Sequence, residues 1–124
     1  MAMWEQKKIK VPLFPCVLYI ILTNDLERVK KEFPDCYFDE VYATSVWGKT
    51  DEDNNFYCIL NPAHREGLNY GVIAHESVHL ANFTMRRCGV KADLENDETQ
   101  AYLVSFFTNE IGKFLDLNSP NAHK

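Results

Sequence analysis

The sequence has no apolar stretch long enough to cross a bilayer. Its best candidate, Val11 to Leu22, is twelve residues long and is interrupted by Pro12 and Pro15, where about 20 apolar residues would be needed. An export signal is also missing: Lys7-Lys8 precedes the run, but Thr23-Asn24-Asp25 is not a small-x-small cleavage site. Positive charge is scarce. Thirteen Lys and Arg stand against 18 Asp and Glu, for a net charge of −5, with no Lys/Arg stripe. That balance argues against nucleic acid as a partner. Cys16, Cys36, Cys58 and Cys88 form no C-x-x-C pair, which argues against a cysteine zinc site. Cys16 and Cys58 fall in apolar runs and read as reduced, buried thiols. Repeats, linkers and low-complexity segments are absent as well. These absences leave one domain over residues 1–124, cytoplasmic and without a membrane segment. Its hydrophobic fraction of 46% is sufficient for a packed core.

Apolar runs and breakers then mark the elements. Residues 1–15 read as a polar lead-in kept extended by Pro12 and Pro15. Cys16 to Thr23 is apolar and rich in β-formers, as in a central strand buried on both faces. Asn24 or Asp25 caps a short helix, Leu26 to Phe33, which Pro34 ends. Val41 to Trp47 and Phe56 to Leu60 predict a hairpin across a charged turn. Asp51, Asp53 and Asn55 mimic the start of a calcium loop. Phe56 and Pro62 occupy the positions of its glycine and closing glutamate, which rules that loop out. Asn69 predicts the N-cap of a long helix from Tyr70 to Met85, with Arg86-Arg87 and Gly89 at its end. Asp97 to Leu115 predicts a last helix, packed through Val104, Phe107, Ile111, Phe114 and Leu115. Residues 118–124 read as a frayed tail. The predicted class is α+β: a small mixed sheet of three to four strands on two long helices.

The chemistry concentrates in the long helix, at His75-Glu76-Ser77-Val78-His79. This H-E-x-x-H spacing puts two imidazoles on adjacent turns of one face, where they can hold one metal ion. Glu76 lies about 100° round the helix, within reach of a metal-bound water. Most of the remaining positions are apolar, with Ser77 and Thr84 as the polar exceptions. That pattern predicts a buried helix whose His-Glu-His stripe is satisfied by zinc, one ion per chain.

A catalytic zinc commonly has three protein ligands and a water. The pattern that adds Gly and a third His would need them at positions 82 and 85, which are Asn82 and Met85. A carboxylate from the following helix is the other common solution, and Glu95, Asp97 and Glu98 are the candidates. Glu98 is preferred, because the first turn of the last helix would hold it and favour its charge. The small Ala101 on the same face would let the two helices approach closely.

His75-Glu76-Ser77-Val78-His79, followed 19 residues after His79 by Glu98 in Asp97-Glu98-Thr99-Gln100-Ala101-Tyr102, resembles the gluzincin class of zinc metallopeptidases. It is also similar to small zincin-like proteins encoded by phages and prophages. The resemblance covers about residues 68–114. It implies a minimal zincin-like fold, a zinc-bound hydrolase core and, for a phage protein, the host cytoplasm.

The expected activity is peptide hydrolysis by a zinc-activated water. His75, His79 and Glu98 would serve as ligands and Glu76 as general base and acid. Tyr102, His64 and Tyr70 are candidates to stabilise the oxyanion, with Tyr102 preferred. Asn82, Asp93 and Asp97 could orient a ligand histidine. Phe56 to Leu60 is expected to be the sheet edge on which an extended substrate adds as another strand. The alternative is a zincin-fold binding protein without turnover, such as a phage-encoded inhibitor of a host protein. The carboxylate at position 76 favours the enzyme, since a non-catalytic zinc site needs none there.

Overall fold

The computed structural model describes residues 2–36, 43–48, 53–62 and 67–116. Its elements are β1 (Trp4–Lys10), β2 (Val17–Thr23), α1 (Leu26–Glu32), β3 (Ala43–Trp47), β4 (Asn55–Leu60), α2 (Tyr70–Arg87) and α3 (Glu98–Leu115). The four strands form one mixed sheet in the order β1-β2-β4-β3. β2 runs parallel to β4, and the two outer pairings are antiparallel. The class is therefore α+β. Among the described residues, no helix is long and apolar enough to cross a membrane.

Alternation along the two central strands divides the side chains between the two faces. Leu18, Ile20 and Leu22 of β2 join Phe56, Cys58 and Leu60 of β4 in the main core, against Ile73 and Leu80 of α2 and Leu103, Phe107 and Ile111 of α3. Ile21 and Ile59 point the other way and pack with Val29 of α1. β2 is thus buried on both faces, as its unbroken apolar run predicts. On α1, the Asp25 side chain accepts the cap bond from Arg28 N at 3.1 Å.

Two expectations need correction. The expected lead-in contains a strand, because β1 pairs with β2 from Trp4↔Thr23 to Lys10↔Val17. Five of its seven residues are exposed, so the strand carries little apolar signal. Backbone pairing makes it a strand, and its exposed lysines suit an unpaired edge. Nor is β4 the sheet edge, since it lies between β2 and β3. The edge on that side is β3, whose residues from Ala43 to Trp47 run antiparallel to Leu60 to Phe56. The predicted hairpin is present. Trp47 Nε1–H donates to Asp53 O at 2.7 Å, and Gly48 N–H to Asn55 O at 3.0 Å. Its tip, residues 49–52, lies outside the described residues, as do the predicted strand start at 41–42 and the tail at 118–124.

Candidate metal centre

The helix that carries the histidines is fixed at both ends by local chemistry. Asn69 caps α2 as expected, its side chain accepting from Val72 N–H at 3.0 Å. At the other end Gly89 takes φ +73°, a left-handed conformation that glycine adopts without strain. Val90 N–H then donates to Met85 O at 2.8 Å and Gly89 N–H to Arg86 O at 3.3 Å. Those paired bonds close the helix in a Schellman turn.

The face that α2 turns inward differs from the expected one. Ile73, Glu76, Ser77, Leu80, Ala81, Thr84 and Met85 are buried, whereas His75, His79 and Asn82 are exposed. The histidine stripe is therefore not a buried one. Ser77 and Thr84 can enter the core because their hydroxyls donate back to Ile73 O at 2.7 Å and Leu80 O at 2.9 Å, which satisfies them within the helix. Val78 faces outward instead and is 40% exposed. Of the three motif side chains, only Glu76 is withdrawn from solvent: its side chain is 8% exposed and that of His75 is 68% exposed.

Within this arrangement the two imidazoles converge. Their Nε2 atoms lie 3.2 Å apart, with ring planes at 73°. Two zinc–nitrogen bonds of about 2.0–2.1 Å at a tetrahedral angle separate their nitrogens by about 3.3 Å. The pair thus fits two corners of a zinc site. Glu76 Oε2 lies 4.0 Å from His75 Nε2, so the carboxylate stands beside the same point without occupying it.

Glu98 is the first residue of α3 and is exposed. Among the described residues no set of three or more His, Cys, Asp or Glu side chains is gathered as a metal site. Asp97 is the N-cap residue of α3 but makes no side-chain cap bond. Glu95 is held before that cap by its N–H donating to Asp93 Oδ1 at 2.9 Å. The first turn of α3 is tied to the histidine stripe by another route, since Gln100 Nε2–H donates to Asn82 Oδ1 at 2.8 Å. Asn82 and Asp93, two of the three proposed orienting groups, thus accept bonds from the first turn of α3 and from the turn before it. Tyr102 and Tyr70 are both exposed, and His64 lies outside the described residues.

Sequence reasoning missed Ser45. Its Oγ–H donates to Glu76 Oε1 at 2.7 Å, across 31 residues of chain. Strand alternation offered a signal: Ala43, Ser45 and Trp47 share the face of β3 turned to α2, and a serine in that row must find a polar partner. Beside it, across the strand pair, is Cys58 of β4. Burial, and secondarily the nearby Glu76 carboxylate, pushes the Cys58 thiol far above its usual range.

No family model, curated protein or solved structure matches this chain. The functional reading therefore rests on the residues and their geometry.

Proposed function

We propose that the chain is a zinc-dependent metallopeptidase acting on a peptide or protein, with His75, His79 and Glu98 as metal ligands. The observation that carries this reading is the 3.2 Å approach of the two Nε2 atoms beside a withdrawn glutamate. Held by these residues, zinc would supply the Lewis acidity that acidifies water and polarises a carbonyl. Glu76 Oε2 is the base that takes the proton of the attacking water and later delivers it to the leaving amine. Burial of Glu76 keeps that carboxylate from being screened by bulk water. Tyr102 is the proposed donor to the developing oxyanion. An extended substrate would pair with β3, the outer strand nearest α2 among the described residues. A cytoplasmic setting, that of a host cell for a phage protein, suits the buried, reduced thiols of Cys16 and Cys58.

One observation favours the second reading, a binding protein of zincin-like fold without turnover: among the described residues no group of three or more His, Cys, Asp or Glu side chains is gathered around the imidazole pair. Elemental analysis of the wild type and Glu98→Ala, with peptide hydrolysis by the wild type and Glu76→Gln, tests both. The enzyme reading expects about one zinc per chain, weakened by Glu98→Ala, and hydrolysis abolished by Glu76→Gln with zinc retained. A wild type that binds no zinc refutes the metal centre. Zinc binding with no hydrolysis of any peptide, and a biological effect intact in Glu76→Gln, would establish the binding protein instead.

A further inference from the structure

The hydroxyl on the neighbouring strand hydrogen-bonds to Glu76 and to neither of the proposed histidine ligands, and it holds one oxygen of the proposed base. We infer that Ser45 is a positioning residue for Glu76, fixing which carboxylate oxygen faces the metal centre. The inference rests on the metallopeptidase reading and deepens it.

A glutamate side chain has three rotatable bonds and two equivalent oxygens, so one hydrogen bond can select its working orientation. Here the two oxygens have different surroundings. Oε1 accepts from Ser45 Oγ–H at 2.7 Å, while Oε2 lies 4.0 Å from His75 Nε2. Ser45 Oγ is also 3.3 Å from Glu76 O. A hydroxyl has one proton, and the shorter, charge-assisted bond to the carboxylate takes it.

The donor is itself held firmly. Ser45 pairs with Cys58 in the interior strand β4. Two residues along, the Trp47 ring packs 5.7 Å from both Phe56 and Phe83. Phe56 belongs to β4 and Phe83 to α2, so the tryptophan sets the spacing between β3 and the helix. The serine hydroxyl thus reaches Glu76 from a strand locked to both the sheet and the helix. An orienting group that is itself fixed loses little entropy in its task.

Acetohydroxamate tests this without a known substrate. It chelates zinc and hydrogen-bonds to a carboxylate beside the ion, so its affinity reads the placement of Glu76. Calorimetric titration of the zinc-loaded protein with acetohydroxamate should show about tenfold weaker binding in Ser45→Ala, the size of one charge-assisted hydrogen bond. Ser45→Thr, which keeps the hydroxyl on a β-forming residue, should restore most of the affinity. In a Glu76→Ala background, Ser45→Ala should change nothing further, because the group it positions is gone. If Ser45→Ala does not fold, Ser45→Cys, of similar shape and a weak donor, carries the same expectation.

Affinity unchanged in Ser45→Ala overturns the inference. So does an equal loss with and without Glu76, or a Glu76→Ala variant that binds the hydroxamate like the wild type. A wild type that takes up no zinc is a different result: it removes the metallopeptidase reading, and the positioning role falls with it. Where zinc and hydroxamate bind and Glu76→Ala weakens binding, that reading stands and Ser45→Ala alone decides.

Discussion

Each side of α2 carries residues that their type alone would place on the other. The side against the sheet buries Ser77 and Thr84 beside Ile73, Leu80 and Ala81. The side turned to solvent carries the histidines with Val78. Polar residues thus help build the core, and an apolar residue lies next to the proposed chemistry. The lesson is that a hydroxyl able to donate to the preceding turn behaves inside a helix much as an apolar group does. Glu76 is the exception that belongs to both sides, since it is buried yet reaches toward the imidazoles.

Substitutions on each side of the helix test this division. The largest effect is expected on the outer side. His79→Ala should weaken zinc binding at least about a hundredfold, as measured by competition with a chromophoric chelator. Its stability without metal should stay within about 0.5 kcal/mol of the wild type in urea unfolding. Zinc should raise the melting temperature of the wild type and not of this variant. Next in size is the inner side, where Leu80→Ala should cost about 2–5 kcal/mol by urea unfolding through the cavity it leaves. A loss of less than 1 kcal/mol would mean that this face is not the core.

Smaller changes sharpen the contrast. Thr84→Val exchanges a buried hydroxyl for a methyl of similar size. Its bond to Leu80 O contributes about 1 kcal/mol at most, so the variant should unfold within about that margin. The smallest effect belongs to Asn82→Ala, which removes the bond from Gln100. A loss of about 0.5–1 kcal/mol, with zinc affinity changed only where Glu98 contributes to it, is expected from paired urea and metal titrations.

What could be read from the sequence was local. The β2 run, the Asn69 cap, Gly89 and the H-E-x-x-H spacing each depend on residues within a turn or two of one another, and the structure has them where expected. The features that escaped are non-local. β1 is a strand because β2 lies beside it, not because its own residues are apolar. The interior place of β4 follows from its parallel pairing with β2, which no pattern within either segment encodes. The outward turn of the histidines escaped because residue counting treated Ser77 and Val78 by type and not by available partners. At the site, the imidazole pair could be read from its spacing. The Ser45 contact joins residues far apart in the chain and could be anticipated only from strand alternation.

The exposure of the imidazole pair also has a kinetic meaning. An ion bound by these exposed histidines would meet solvent directly, so its arrival and departure would require no opening of the fold. Its residence time is then governed by the breaking of a few coordination bonds, and competing small chelators can reach it while it is bound. Occupancy would accordingly track the buffered concentration of free metal around the protein.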